Sequence, residues 1–483
     1  MAESDEIEAQ IVSPHRWGSH CVPDVPNPTG ILTIIILCIP KGPDLDSDFV
    51  WRRLATPREA MIGLRSDGTP RRICSHLEII SSVKIKKEVL EKCAKYFNRD
   101  ICCFNEFLME KKASKDIWLV KMKKSCYMVQ EMETEDEIES RIIEDEINCR
   151  LRAEDSPNWK LYYNYVGRDS TVSDDSGKYP HIYQLIFVFS TGTLDEFSCA
   201  LICDLFLNIL DCALKDAPFH RYSHLNMYDV GSKLESFITE TISNMREDES
   251  YSGIAELFYK KMLIFPCSTF DFKEKEFENK DNPFKTKKCL FSRDDTQAFL
   301  SICRKKNIGT YAVFIVIINN VLFQYAKKKG FTGIFRSRAL HIVNARFILN
   351  REDLKYTYKL GSYFLPYMQH FKLESTEVEE IFKEALGVEV VMERIVTKHM
   401  FWDQEAIRES FIKRSGSKYN SGTWNPHYCF SVTNLGNLDL FYSRHTPNNK
   451  FKVLSYERAS PVLEGGHLDV IFYTFKDKLN VQF

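Results

Sequence analysis

The stretch His181-Ile182-Tyr183-Gln184-Leu185-Ile186-Phe187-Val188-Phe189-Ser190-Thr191-Gly192-Thr193-Leu194-Asp195-Glu196-Phe197 changes character twice within a few residues. From His181 to Phe189 nearly every side chain is apolar, the composition of a central strand buried on both faces. Ser190 to Thr193 is small and polar with a glycine, which is the chemistry of a tight turn. Thr193 or Asp195 then caps a helix whose Leu201, Ile202, Leu205, Phe206, Ile209 and Leu210 recur at helical spacing and form one apolar stripe. The unit is strand, turn and helix, with one hydroxyl (Thr191) and two acids (Asp195, Glu196) at the turn.

Upstream, Leu161 to Val166 reads as a second strand, set off by the polar loop Arg168 to Lys178. Leu77 to Val83 reads as a strand and Lys86 to Phe97 as a helix, while Ile117 to Met122 and Cys126 to Val129 read as paired strands. The acidic block Glu131 to Glu146 carries Ile138, Ile142, Ile143 and Ile147 on one stripe, so it reads as a helix with a solvated charged face. Downstream, Phe270 to Lys288 has no period and contains Pro283, which suits a connection. Ser292 and Asp295 open a helix to Lys306, and Thr310 opens a very apolar one to Lys328, closed by Lys329 and Gly330. Strands are expected at 338–347, 427–432, 453–456, 467–475 and 479–483. Residues 1–48 are acidic, then rich in proline, and hold the apolar run Ile31 to Ile39, which should dock as a strand. The expected division is an extension at 1–48, a first lobe at 49–268, a connector at 269–289 and a second lobe at 290–483.

Composition narrows the function. The chain has 483 residues, 44% hydrophobic and 27% charged, the balance of a globular protein rather than a disordered one. A net charge of −2 supplies no global field toward nucleic acid or an anionic membrane. The Ile31 to Ile39 run is about half the length that a bilayer-crossing helix needs. The acidic N-terminus lacks the basic start of a secretory signal. The 15 cysteines show no CxxC spacing, and no Asn-x-Ser/Thr acceptor without an intervening proline occurs, which points to free thiols in the cytosol. P-loop, GxGxxG and GxSxG motifs are absent. His220 and His224 have the spacing of metal ligands but lack a companion glutamate, and no metal is expected.

The order of short motifs resembles the chloramphenicol-acetyltransferase-like superfamily of CoA-dependent acyltransferases, in its alcohol acetyltransferase and condensation-domain branch. The resemblance runs from about Trp51 to Phe483. Its pieces are Arg53-Leu54 with Glu59-Ala60, the strand entry Ser156-Pro157-Asn158-Trp159-Lys160-Leu161, and the turn after Phe189. They continue with the helix pair around Gly309-Thr310, Asn344-Ala345-Arg346 in place of the family's "NxR", Gly361-Ser362-Tyr363, Ser431-Val432-Thr433-Asn434-Leu435-Gly436 in place of "SNlG", and a closing hairpin from Tyr473 to Phe483. The resemblance implies an α/β fold of two similar lobes, with mixed or antiparallel sheets flanked by helices, facing each other across a channel. It implies acyl-CoA or acyl-pantetheine as co-substrate and a small alcohol or amine as acceptor.

In that family the chemistry sits in HHxxxDG, where the second histidine deprotonates the acceptor. Here the matching residues are Ser190-Thr191-Gly192-Thr193-Leu194-Asp195-Glu196, so both histidines are absent. A hydroxyl takes no proton at neutral pH, and the contribution of roughly 10²- to 10⁴-fold from a general base should be missing. The resemblance makes Asp195 a structural partner of Arg346 in a buried ion pair. Glu196, Asp195, His399 and His427 are the candidates for a replacement base. Ser431 and Asn434 either bind the co-substrate, donating to an oxyanion, or close a turn. Two readings stand: a catalytically impaired protein of this fold that binds a ligand or a protein partner, and an active acyl-CoA-dependent O- or N-acyltransferase with a replacement base.

Overall fold

A computed structural model describes residues 49–65, 67–110, 116–122, 127–132, 138–151, 157, 159–168, 178–225, 236, 240, 243, 285–346, 359–374, 377–397, 429–442, 450–461 and 468–483. The extension at 1–48, most of the expected connector, His399 and His427 lie outside them. In chain order the elements are β1 (Phe49–Leu54), α1 (Pro57–Gly63), β2 (Arg72–Ser81), α2 (Lys87–Asp100), β3 (Glu106–Glu110), β4 (Ile117–Met122), β5 (Tyr127–Glu131), α3 (Ile138–Asn148), β6 (Trp159–Arg168), β7 (His181–Ser190) and α4 (Glu196–Leu214). They continue with β8 (Lys288–Leu290), α5 (Arg293–Lys306), α6 (Thr310–Lys328), β9 (Phe335–Asn344), β10 (Phe364–Leu373), α7 (Val378–Thr397), β11 (Phe430–Asn437), β12 (Phe451–Ala459), β13 (Asp469–Phe475) and β14 (Lys478–Gln482).

β7 is the middle of a five-stranded sheet ordered β12-β2-β7-β6-β5. Its side chains serve two cores. Tyr183, Leu185, Phe187 and Phe189 face α2 and α4, while Ile186 and Val188 face α3. That two-sided burial explains why the run is apolar without alternation. α2 offers Leu90, Cys93, Ala94 and Phe97 at helical spacing to the first core. Trp159 is wholly buried there, with its indole N–H donated to Asn98 Oδ1 at 2.7 Å and its ring stacked on Phe104. α4 has the length and hydropathy of a membrane span, yet most of it is buried inside the protein.

The second large sheet is six-stranded, ordered β10-β9-β11-β13-β14-β8, with β11 parallel to both β9 and β13. α6 and α7 pack beside it, and Ser292 caps α5 by accepting from Asp295 N–H at 3.0 Å. A third sheet, β1-β4-β3, is antiparallel. α1 begins with a full capping box, Thr56 with Glu59, and the Glu59 carboxylate also receives two hydrogen bonds from Arg53 at 2.7 and 2.8 Å. One strand crosses between the large sheets. β12 comes from the C-terminal half of the chain and completes the sheet of the first half.

Four expectations are corrected. β4 and β5 are not partners: β4 lies between β1 and β3, and β5 runs parallel to β6 in a different sheet. Parallel neighbours need a long crossover, and α3 supplies it. The acidic α3 is not charged only toward solvent, because Glu146 is buried against Arg72 and Lys160. The strand expected at 338–347 is β9, which begins at Phe335 and ends at Asn344, so Arg346 lies just beyond it. β10 was not expected at all.

Candidate active site at the turn after β7

Asp195 organises the turn. Its side chain caps α4 by accepting from Ser198 N–H at 2.8 Å, which satisfies a backbone donor left open at the helix start. The same carboxylate takes a bidentate fork from Arg346, Nη1 to Oδ2 at 2.6 Å and Nη2 to Oδ1 at 3.1 Å, and accepts from Tyr363 N–H at 2.9 Å. Both charged side chains are 3% exposed. The guanidinium is further held by Ser198 Oγ, by the Lys359 carbonyl and by the faces of Tyr363 and Phe197, 4.1 and 4.9 Å from the ring centroids. Asp195 N–H donates to the Gly361 carbonyl at 3.1 Å, and Ser198 Oγ donates to it at 2.8 Å. Residues from the two halves of the chain, 151 positions apart, therefore lock one turn.

Thr191 faces inward. Its hydroxyl donates to the Ile62 carbonyl at 2.9 Å, and its N–H donates to the Arg71 carbonyl at 3.1 Å. The residue is 7% exposed. The end of α1 closes over it: a Cβ built on Gly63 would sit 2.5 Å from Gly192 Cα. Two glycines thus permit a backbone contact that no other pair of residues would allow. Below the turn, Ser190 pairs with Arg72, whose guanidinium meets the buried Glu146 carboxylate. Lys160 Nζ, at 2.6 Å, and the Tyr162 hydroxyl also bond to that carboxylate. Burial pushes the Glu146 carboxyl up, but Arg72 and the hydrogen bonds from Lys160 and Tyr162 outweigh it and hold the group below the ordinary range.

Glu196 points the other way, and its Oε1 accepts from Arg458 Nη2 at 2.8 Å. Arg458 comes from β12 and its side chain is fully buried. Beside this pair, Asp469 accepts from Ser431 Oγ at 2.6 Å and from Ser460 Oγ at 2.7 Å. Burial pushes its carboxyl upward, and the neighbouring Glu196 adds to the rise. Asn434 is exposed, and its Oδ1 accepts from Gly436 N–H at 2.8 Å, closing a local turn. Asp195, Glu196 and Ser431 therefore each have a partner, while Asn434 is tied to its own backbone. Sequence reasoning missed Arg458, Asp469 and Glu146. Arg458 is 262 positions from Glu196, and no local pattern links them. Among the described residues, none of the hydrogen bonds of Thr191, Asp195 and Glu196 goes to a histidine.

The sequence matches no family model and no curated protein. Solved structures are similar over most of the chain. Trichothecene 15-O-acetyltransferase TRI3 from Fusarium sporotrichioides matches 90% of this chain and 91% of its own at a TM-score of 0.58 and 9% identity. The first condensation domain of the calcium-dependent antibiotic synthetase, in complex with a substrate analogue, matches 90% of each chain at 0.57 and 11%. The starter condensation domain of rhizomide synthetase, in complex with C8-CoA and Leu-SNAC, matches 90% of this chain and 88% of its own at 0.53 and 9%. This is the chloramphenicol-acetyltransferase-like acyltransferase fold. Its mixed sheets and two lobes are those expected from the motif order.

Proposed function

We propose that this protein is a diverged member of the acyltransferase fold, catalytically impaired, that acts by binding a ligand or a protein partner. The observation that supports this reading best is Thr191. It stands at the position of the general base, is buried, and spends its proton on the Ile62 carbonyl. Neither acid at the turn compensates. Asp195 is committed to Arg346 and the α4 cap, and Glu196 to Arg458, so neither carboxylate is free to take a proton from an acceptor. Acyl-CoA or acyl-pantetheine is the thioester this fold would bind.

One observation favours the second reading, an active acyl-CoA-dependent O- or N-acyltransferase. Unlike Asp195 and Glu196, Asp469 has no cation at ion-pair distance among the described residues; its oxygens accept from the Ser431 and Ser460 hydroxyls, and burial pushes its carboxyl up, which makes it the better base of the three. The test is a thermal-shift titration with CoA and a series of acyl-CoAs, followed by thioester cleavage and transfer assays. A ligand at a hundred times its dissociation constant stabilises the fold by about 2.7 kcal/mol. Stabilisation without turnover is the expected outcome. Turnover abolished by Asp469→Asn or Glu196→Gln, with the thermal midpoint retained, would replace the first reading by the second.

A further inference from the structure

A groove of about 340 Å³ lies where β12, the edge of the five-stranded sheet, meets β14 and β8 of the six-stranded one. Four cations line it: Lys288, Arg293, Lys476 and Lys478. Its one acid, Glu457, is taken by Lys288. Among the described residues, Arg293, Lys476 and Lys478 have no carboxylate at ion-pair distance. Three unpaired cations from two elements thus converge on one concavity, and its apolar wall is made by Leu290, Leu454 and Val481.

The hairpin that delivers Lys476 is under strain. β13 and β14 are joined by Lys476 and Asp477 alone, and both have positive φ, 52° and 60°. Two-residue hairpins of this hand favour Asn-Gly or Asp-Gly, because a side chain is costly at φ > 0. A lysine here needs a reason beyond turning the chain. Burial pushes its ammonium down; Asp439 and Glu78 oppose that push, while Lys452 and Lys478 add to it.

We propose that this groove binds a phosphate-bearing ligand, the phosphate seated among Arg293, Lys476 and Lys478 and an apolar portion lying on Leu290, Leu454 and Val481. Three cations match the charge of a phosphate monoester or diphosphate better than the single charge of a carboxylate. The phosphate belongs either to a soluble phosphorylated compound or to a phospholipid headgroup. The site stands whether or not the turn after β7 transfers acyl groups.

The experiment titrates the full chain with inorganic pyrophosphate by calorimetry and, in parallel, sediments it with phosphatidylcholine vesicles with and without phosphatidic acid. Coenzyme A also carries a diphosphate, so the site is assigned by the loss of pyrophosphate binding in variants of the groove cations, which keeps its failure distinct from failure of the acyl-thioester reading. Lys476→Gly removes the ammonium while relaxing the turn, and Lys478→Ala removes the second cation without touching the positive-φ pair. Pyrophosphate should bind the wild type and bind each variant at least about tenfold more weakly. Pyrophosphate binding without sedimentation assigns the soluble source. Sedimentation only with phosphatidic acid, displaced by pyrophosphate, assigns the headgroup. Absence of binding in both arms, equal binding by both variants, or sedimentation that pyrophosphate leaves unchanged overturns the proposal.

Discussion

Asp195 does three jobs with two oxygens: it caps α4, receives Arg346 and holds Tyr363 N–H. Removing its charge leaves a buried guanidinium between two aromatic rings, and breaking a buried pair in this way typically costs about 3–5 kcal/mol. Asp195→Asn should therefore lower the unfolding free energy extrapolated from urea denaturation by that amount, and an unchanged value would show that the pair is not structural. Arg346→Lys should not rescue the site, because an ammonium cannot make the fork or stack on Phe197 and Tyr363. Gly63→Ala should cost about 1–3 kcal/mol, since its Cβ would meet Gly192 Cα at 2.5 Å and backbone cannot rotate away. Thr191→His makes the complementary test in the pocket that α1 closes. The larger ring should destabilise the protein without conferring acyl transfer; transfer activity in this variant would mean that only the base is missing. These roles were unequally legible. Asp195 and Arg346 stand out in sequence because each sits in a recognisable local motif. The part played by Gly63 depends on α1 folding back over the turn, which no residue near Gly192 announces.

At the scale of elements, the legible ones are those whose pattern is local. β7, α4, α5 and α6 each carry an apolar run or stripe bounded by a cap or a turn. The pairing of β5 and the presence of β10 are illegible for different reasons. The partner of β5 is set by the α3 crossover rather than by its sequence neighbour β4. β10 contains Pro366, which argues against a strand, and the chain accommodates it by placing β10 at the edge of the sheet. α3 shows the same limit within a helix. Its stripe of Ile143 and Ile147 is readable, whereas Glu146, buried beside them, reads as one more surface acid. A pH dependence follows from Glu146. Its carboxyl is held below the ordinary range in the folded protein, so the unfolded chain takes up its proton first as pH falls. The stability it contributes is complete above the unfolded value near 4.3 and is lost as pH drops through the lower folded value. Glu146→Gln should lower stability at pH 7, since it strands Arg72 and Lys160, and should flatten the acid limb of a midpoint-versus-pH curve. An unaltered acid limb would assign that slope to other groups.

For the whole molecule, the crossing of β12 decides how the fold is held together. Residues 47–483 form one compact unit although they build two large sheets. β2 has ten residues and needs a partner on each side; β7 provides one and β12 the other. The same strand brings Arg458 to Glu196, Arg346 reaches Asp195 from beyond β9, and Tyr442 Oη donates to the Ala200 carbonyl at 3.1 Å. A first half cut away from the second would expose the edge of β2, leave Asp195 buried without its counter-charge, and uncover the part of its core that Phe441, Tyr442, Tyr456 and Tyr473 close. A fragment spanning residues 47–289 should therefore show no cooperative thermal transition and little dispersion in its amide proton spectrum, whereas residues 47–483 show both. Adding residues 290–483 in trans should restore the dispersed spectrum, because the missing strand and counter-charge lie entirely in that piece. A cooperative melt of the first fragment alone would mean that its sheet closes without β12 and that the two lobes are separable domains.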